Sequence, residues 1–134
     1  DKIKQIIKNA KIISNFNEYE KQRILNCVPD IEKDNLYNKA YLLQYNFENL
    51  NSICWKKGCF VGQEVTIKMK NKGFLKKKLY VVKSFTKKLN SPKEIKYKNQ
   101  LIGTTTSHYK NIALALVQID KIKNIKKEKN ILVI

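Results

Sequence analysis

The amino-acid sequence predicts an α+β protein in which a partly helical first half precedes an all-β second half. Apolar residues recur at positions 3, 6, 7 and 10, which is the spacing of an amphipathic helix. After Gly73 the pattern changes to short segments rich in β-branched and aromatic residues, with turn residues between them. Short strands in this arrangement are typical of an antiparallel barrel or sandwich. We place the boundary near residues 71–74, which divides the chain into segments 1–72 and 73–134.

Two helices are predicted before Pro29. The first covers residues 1–13, where the apolar spacing is helical. The second is expected to begin at Asn17, because Asn17 and Glu20 stand at the spacing of a capping box. Pro29 is expected to end this helix, since proline cannot continue the backbone hydrogen bonds. Glu18 and Glu20 are then expected to lie on its solvated face.

The later elements are predicted from glycine positions and strand patterns. Residues 31–55 mix loop and short-helix patterns. A helix or a turn is expected to begin after Gly62 and to stop at Gly73, because glycine tolerates the left-handed turn that ends many helices. Beyond it, a break is expected at Gly103, and the strand-like segments are residues 76–85, 94–109, 111–119 and 130–134.

The charge balance points to an anionic partner but does not identify one. Lysine and arginine number 28 against 11 acidic residues, a formal net charge of +17, yet Arg23 is the only arginine. Proteins favour arginine for binding a phosphate through two parallel hydrogen bonds and for recognising bases. Two interpretations therefore stay open: coding bias with a solvated lysine surface, or a selected basic face. Either surface would attract nucleic acid without sequence specificity.

The cysteine count and the hydropathy indicate the kind of compartment in which the protein is expected. Three cysteines are an odd number in a chain whose start lacks the apolar core of a signal peptide. This favours free thiols in a reducing compartment. The longest apolar run, residues 112–117, is far too short to cross a membrane, so no membrane span is expected.

The segment WKKGCFVGQEVT, residues 55–66, is the strongest candidate site. The chain has four glycines, and two of them, Gly58 and Gly62, frame Cys59. Glycine permits positive φ angles and close backbone approach, so a tight loop leading into a helix is expected. The N–H groups at a helix start and the two preceding lysines would stabilise a thiolate. Cys59 would then serve as a nucleophile, redox group or metal ligand.

Two polar residues follow this loop, and a structural interpretation competes with the functional one. Gln63 can both donate and accept hydrogen bonds, and Glu64 would compensate the helix dipole or bind a polar ring edge. In the structural interpretation, Cys59 is a small buried hydrophobe and the two glycines form an ordinary turn.

The remaining cysteines and the histidine are weaker candidates. Cys27 and Cys54 are expected to be core residues, and no Cys-x-x-Cys spacing occurs. The only histidine, His108, is expected in an exposed loop. The sequence therefore predicts neither a structural zinc site nor a cysteine–histidine catalytic pair.

The stretch KGCFVGQE, residues 57–64, closely resembles the signature Lys-Gly-Cys-Tyr-x-Gly-Gln-Glu of the YgfZ family. These are folate-binding proteins linked to iron–sulfur cluster assembly and repair, and they are relatives of the glycine-cleavage T-protein. Phe60 replaces the usual tyrosine, and every other defined position of the signature matches. Residues outside the signature that match the family are Arg23, Ile24, Pro29, Asn46 and Leu50. Cys27 stands where the family has glycine.

The resemblance implies a fold and a site. The chain resembles the C-terminal half of the family: the end of a central α+β folate-binding domain, residues 1–72, and a C-terminal antiparallel β-barrel, residues 73–134. Cys59 would be the functional thiol and a transient iron–sulfur ligand, and tetrahydrofolate or a derivative would be the cofactor. Residues expected to bind the cofactor are Lys57, Gly58, Gly62, Gln63, Glu64, Arg23 and Asn46.

The resemblance also implies partners and a location, and it leaves two alternatives. Expected partners from the resemblance are iron–sulfur assembly proteins and an N-terminal-half chain, and the charge adds non-specific nucleic acid. The location would be the cytoplasm of a bacterium or the mitochondrial matrix of a eukaryote. One alternative is a non-catalytic basic scaffold or subunit of a larger assembly, for example one containing RNA, whose binding would fall steeply with salt. The other is an aminomethyltransferase like T-protein, against which the missing N-terminal half argues.

Overall fold

The computed structural model describes residues 15–37, 40–58, 61–85, 91–122 and 131–133. The helix predicted over residues 1–13 lies outside the described residues, and so do Cys59 and Phe60 at the centre of the candidate segment. Within the described part, helices and turns precede an antiparallel sheet. The predicted α+β class is therefore confirmed.

Helix α1 covers Phe16–Leu25. Its N-cap is Asn15, whose side-chain oxygen accepts a hydrogen bond from the Asn17 N–H at 2.9 Å. The predicted start at Asn17 is therefore wrong by one residue, because two asparagines stand close together and either can cap a helix. The inner face of the helix buries Glu20, Arg23 and Ile24. The expectation that Glu20 is solvated is wrong, because this carboxylate pairs with a buried arginine.

Helix α1 ends in a left-handed turn centred on Cys27. The φ angle of Cys27 is 54°. The Cys27 N–H donates to the Ile24 carbonyl at 2.9 Å, and the Val28 N–H donates to the Arg23 carbonyl at 3.0 Å. These two bonds form a Schellman motif, which satisfies carbonyls at the helix end and usually places glycine at the left-handed position. Cys27 thus adopts the conformation that glycine would adopt there.

The segment between α1 and the sheet is made of turns, one short 3-10 helix and helix α2. The 3-10 helix covers Leu42–Tyr45 and ends at Asn46, whose φ is 64°. Helix α2 covers Gln63–Asn71, directly after Gly62. Gly73 has a φ of 64° just beyond the helix end, as the sequence predicted.

Five strands form one antiparallel sheet in the order β2-β3-β4-β1-β5. Their bounds are Lys77–Ser84 for β1, Lys93–Tyr97 for β2, Gln100–Tyr109 for β3, Ile112–Gln118 for β4 and Ile131–Val133 for β5. A further 3-10 helix, Ile119–Lys121, follows β4. Strands β2 and β5 are the edges, so the described strands form an open sheet, and closure into a barrel is not confirmed.

Two details of the sheet differ from the sequence predictions. The break lies at Lys98 and Asn99, whose φ angles are 46° and 63°, and not at Gly103. Gly103 lies inside β3, where an added Cβ would come within 2.8 Å of the Leu116 carbonyl oxygen. This glycine therefore allows β3 and β4 to lie close together. His108 is exposed as predicted, but it lies in β3 and not in a loop.

Both faces of the sheet are buried. On one face, Leu79, Val81 and Leu114 pack with Ile24 of α1 and with Tyr45 of the 3-10 helix. The other face buries a second cluster, which comprises Val82, Ile95, Ile102, Ala113, Ala115 and Val117. Strand alternation produces this division, because successive side chains point to opposite faces. The first cluster packs α1 and the 3-10 helix on the sheet, and helix α2, which follows the candidate segment, contacts that 3-10 helix.

Candidate functional site

The loop before Cys59 is attached to helix α2 through Trp55. The Lys70 ammonium lies 3.9 Å from the centre of the Trp55 ring and 2.6 Å from Glu48 Oε1. A lysine over an aromatic face gains electrostatic attraction from the ring quadrupole. Helix α2 also packs against the 3-10 helix. These contacts set the position of the chain four residues before Cys59.

Gly62 gives helix α2 its entry geometry. Its φ and ψ angles are 82° and 0°, a left-handed conformation that L side chains adopt at a cost. The Gly62 carbonyl accepts the Thr66 N–H at 3.2 Å and the Thr66 hydroxyl at 3.0 Å. The predicted positive φ at Gly62 is confirmed, and it directs the chain from the cysteine loop into the helix.

Gly58 differs from Gly62 in conformation and surroundings. Its φ angle is not positive, and an added Cβ would meet no atom of the described residues within 4 Å. Of the two glycines that permit positive φ, Gly62 adopts it and Gly58 does not. Gly58 is exposed, so its bare backbone is open to close approach from outside.

The polar residues of the first turn of α2 differ in exposure. Glu64 is highly exposed and forms an i,i+4 ion pair with Lys68. Its negative charge at the helix start, with Lys68 and Lys70 in the last turn, complements the helix dipole. Gln63 is half-buried, and Lys57 is exposed. These residues lie on the loop and helix that flank Cys59.

Arg23 lies in a separate, buried cluster. Its side chain is 2% exposed, and its nitrogens donate five hydrogen bonds. The acceptors are Glu20 through two oxygens, Asp34 Oδ2, the Val28 carbonyl and Ser107 Oγ in β3. A guanidinium has five N–H donors, so the described partners use all of them. A bound carboxylate would have to displace one of these partners.

The Arg23 cluster shifts the ionisation of its main carboxylate. Burial raises the pKa of Glu20, but the hydrogen bonds and positive charges of Arg23 and Lys33 lower that pKa by more, so it lies below 4.5. Asp34 Oδ2 also accepts the Asp30 N–H at 2.7 Å. Glu20, Asp34 and Ser107 were not predicted from the sequence to belong to this cluster. Only the i,i+3 spacing of Glu20 and Arg23 could have indicated it.

Asn46 lies on the other side of the turn that follows α1. Its Nδ2 donates to Cys27 Sγ and to the Leu79 carbonyl, both at 3.0 Å. Its Oδ1 is buried without a hydrogen-bond partner among the described residues. Burial raises the pKa of the Cys27 thiol to about 11, in spite of the Asn46 hydrogen bond. Cys27 is therefore a protonated structural thiol at neutral pH.

The sequence predictions for the other cysteines and for metals have mixed outcomes. Cys27 and Cys54 are free thiols. Cys27 is half-buried, as a packed residue would be, but Cys54 is exposed, so its predicted place in the core is wrong. Cys54 lies in a stretch without helix or strand. Within the described ranges, no group of three or more histidine, cysteine or acidic side chains could hold a metal ion.

The structure therefore arranges the predicted site residues in two groups. Arg23 and Asn46 meet at the left-handed turn of Cys27 and Val28. The residues around the cysteine loop form the other group: Lys57, Gly58, Gly62, Gln63 and Glu64. Contact between α2 and the 3-10 helix connects the two groups. None of the helices in the described part of the chain is long and apolar enough to span a membrane.

These features define an α+β protein with an antiparallel sheet, in which a sequence segment with a glycine-framed cysteine directly precedes helix α2. No protein-family model matches the chain. The chain is similar to mitochondrial iron–sulfur cluster assembly factors named IBA57. This is consistent with the resemblance that the KGCFVGQE stretch carries.

Three of these relatives give the extent of the similarity. The human factor is 28% identical over 111 residues, which cover 79% of this chain and 31% of the human protein. The Neurospora crassa homologue is 33% identical over 63 residues, which cover 47% of this chain and 14% of that protein. The Dictyostelium discoideum homologue is 30% identical over 73 residues, 54% of this chain and 18% of that protein. The chain thus matches less than a third of each relative's length.

Proposed function

We propose that this chain acts in iron–sulfur cluster assembly or repair, with Cys59 as its functional thiol. The similarity to the human assembly factor across 79% of the chain carries the proposal. The KGCFVGQE stretch supports it, because that stretch places a cysteine between two glycines directly before a helix. The partners of this activity would be other iron–sulfur assembly proteins.

The surroundings of the cysteine loop favour a thiolate. Helix α2 begins at Gln63, and the N–H groups of its first turn create a positive potential near the loop. Lys57 adds a positive charge two residues before Cys59. A thiolate is the form of cysteine that binds iron and attacks electrophiles. Cys59 would hold a cluster in transit, so the cluster is cargo and not a resident cofactor.

We also propose tetrahydrofolate or a derivative as the bound cofactor, and the residues fit it in part. The open space above Gly58 would admit a flat ring close to the backbone. Asn46 Oδ1 is a buried acceptor without a partner among the described residues, as an N–H-bearing ligand would require. Lys57 would attract the glutamate tail of a folate. Arg23 fits less well, since its five donors are already engaged.

We also propose a domain organisation and a location for this chain. Residues 1–72 would be the end of a central folate-binding domain, residues 73–134 would close into a barrel, and an N-terminal-half chain would complete the folate pocket. The relatives are named mitochondrial, which supports the mitochondrial matrix as the location if the source is a eukaryote.

Complementation with matched cysteine variants tests the thiol. A cell that lacks its own IBA57-type factor would receive this chain, Cys59→Ser or Cys54→Ser, and the activity of an iron–sulfur enzyme would be measured. We expect rescue by the chain and by Cys54→Ser, because Cys54 is an exposed cysteine outside the signature. Cys59→Ser is expected to abolish rescue. Equal rescue by both variants would refute the functional thiol.

Calorimetric titration with tetrahydrofolate tests the cofactor. The chain would be titrated alone and together with the N-terminal half of a relative. We expect heat of binding that Cys59→Ser leaves unchanged and Asn46→Leu abolishes, because Asn46 offers the unpaired acceptor. Thermal melts would confirm that Asn46→Leu still folds. Absence of binding in both forms would refute the folate proposal and leave the thiol proposal intact.

A further inference from the structure

Two grooves meet at one lysine pair at the start of β1. The first has a volume of about 690 Å³, and Asp34, Tyr45, Lys76, Lys77, Thr104 and Leu116 lie on its walls. The second has a volume of about 590 Å³ and is formed by Leu75, Lys76, Lys77, Gln118, Ile119 and Asp120. Each groove is of the size that binds a small ligand. Because both include Lys76 and Lys77, a ligand that occupies both must pass across this pair.

Lys76 and Lys77 make the junction of the two grooves positively charged. Lys76 and Lys77 are exposed, and among the described residues neither forms an ion pair. Asp120 is the acidic residue on the wall of the second groove, and it offsets one of these charges in part. The chain as a whole carries a formal charge of +17. The occupant should therefore be acidic where it crosses the pair.

The walls and floor of the grooves indicate what else the occupant contains. Leu75, Leu116 and Ile119 are half-buried, so apolar atoms remain open for contact. Thr104 on the first groove and Gln118 on the second are also half-buried. A threonine hydroxyl and a glutamine amide can both accept hydrogen bonds from N–H groups of an occupant. Apolar side chains, backbone N–H groups and acidic side chains occur together in a polypeptide.

We propose that these joined grooves bind an extended, acidic segment of a partner protein. Its acidic side chains pair with Lys76 and Lys77, and its apolar side chains contact Leu116 on one side and Ile119 on the other. Single-stranded nucleic acid fits less well, because it needs aromatic rings on which bases stack. The aromatic residue on these walls is Tyr45, which is 7% exposed. The inference does not depend on Cys59 or on folate.

Fluorescence anisotropy with defined probes tests the proposal. The first probe is a labelled peptide of about 12 alternating glutamate and leucine residues, long enough in extended form to cross both grooves. The second is a glutamate-only peptide of equal length, and the third is an oligouridylate of similar length. At about 150 mM NaCl, long-range attraction is largely screened, so local contacts dominate. We expect the glutamate–leucine peptide to bind most tightly.

A matched pair of double variants separates the grooves from net charge. Lys76→Glu with Lys77→Glu is expected to weaken peptide binding by about tenfold or more, because like charges then face the ligand. Lys83→Glu with Lys110→Glu makes the same change in charge near the opposite end of β1 and is expected to weaken binding by less than about threefold. Thr104→Glu, inside the first groove, should also weaken binding, and Cys59→Ser should not change it.

Three results would overturn the proposal. Equal weakening by both double variants would mean that net charge and not the grooves attracts the peptide. Equal affinity for the glutamate-only peptide would mean that apolar contacts do not contribute to binding. Tighter binding of oligouridylate, with the same dependence on Lys76 and Lys77, would assign the surface to nucleic acid. Thermal melts establish that each variant folds. If the variant with Lys76→Glu and Lys77→Glu does not fold, the variant with Lys76→Gln and Lys77→Gln is measured in its place.

Discussion

Arg23 shows how a single side chain joins the helical segment to the sheet. Its guanidinium binds Glu20 in its own helix, Asp34 in the following turn and Ser107 in β3. Buried ion pairs contribute little net stability when intact, because desolvation offsets attraction. Removing one partner is costly, because it leaves the other charge buried and unpaired. The conformation of the chain around α1 therefore depends on this arginine.

Arg23→Ala is expected to lower the free energy of unfolding by about 3–5 kcal/mol, because Asp34 and Glu20 would remain buried without their cation. Lys21→Ala is the matched control, since Lys21 pairs with Glu18 in the same helix and the two side chains are 41% and 42% exposed. That change should cost about 1 kcal/mol or less. Urea denaturation measures both values. Similar losses for the two variants would contradict a structural role for Arg23.

The same cluster predicts how stability depends on pH. The folded-state pKa of Glu20 lies below its ordinary value of 4.5, so its stabilisation is present above that pH. The stabilisation is lost as the pH falls through the lower folded-state pKa. We expect the unfolding free energy to decrease less between pH 5 and pH 3 in Glu20→Gln than in the unmodified protein. Parallel pH profiles for the two proteins would contradict the shift.

The two described cysteines are expected to differ in reactivity. The pKa of the Cys27 thiol is about 11 because of burial, whereas Cys54 is exposed. Alkylation needs a thiolate that the reagent can reach. In a Cys59→Ser background at neutral pH, iodoacetamide should modify Cys54 at least about tenfold faster than Cys27. Peptide mass spectrometry measures both rates, and equal rates in the folded protein would contradict the burial of Cys27.

At the scale of elements, the connections into and out of helices decide where site residues lie. Cys27 and Gly62 both occupy left-handed positions, one at the end of α1 and the other at the start of α2. The first brings the Cys27 thiol to Asn46, and the second turns the chain out of the cysteine loop. Helix positions alone would not place these residues, because the turns set the direction of each segment.

The two glycines of the loop should respond differently to alanine. Gly62→Ala should cost about 1–2 kcal/mol of unfolding free energy, because alanine is strained at a φ of 82°. Gly58→Ala should leave stability nearly unchanged, since its φ is not positive and its Cβ would meet no atom of the part of the chain that the structure describes. Thermal denaturation compares the two variants. Unchanged stability in Gly58→Ala together with lost complementation would indicate close approach by a ligand at Gly58, whereas a large stability loss would contradict the geometry.

At the scale of the whole molecule, the excess of positive charge acts on stability. A formal charge of +17 on 134 residues implies net repulsion in the folded state. Salt screens that repulsion. Salt also weakens exposed ion pairs such as Lys68–Glu64 and Lys96–Glu94, but such pairs contribute little to the free energy of unfolding. The charge therefore lowers stability at low ionic strength and attracts acidic partners.

Raising NaCl from about 20 mM to about 500 mM should increase the melting temperature, because the Debye length falls below the spacing of most surface lysines. Differential scanning calorimetry at fixed pH measures the change. Sodium sulfate at matched ionic strength is the control for specific anion binding. A melting temperature that falls with salt would mean that ion pairs, and not repulsion, dominate the electrostatic energy.

The sequence by itself determined the α+β class, the glycine-led start of α2 and strands close to β1, β4 and β5. These features depend on local preference and periodicity, which a linear pattern records. Only the tertiary structure decided that Glu20 is buried, that Cys54 is exposed and that Gly103 lies inside a strand. Each of these depends on which distant segments pack together and which stay exposed. The Arg23–Ser107 bond and the grooves that meet at Lys76 and Lys77 arise for the same reason, since packing on the sheet brings distant residues together.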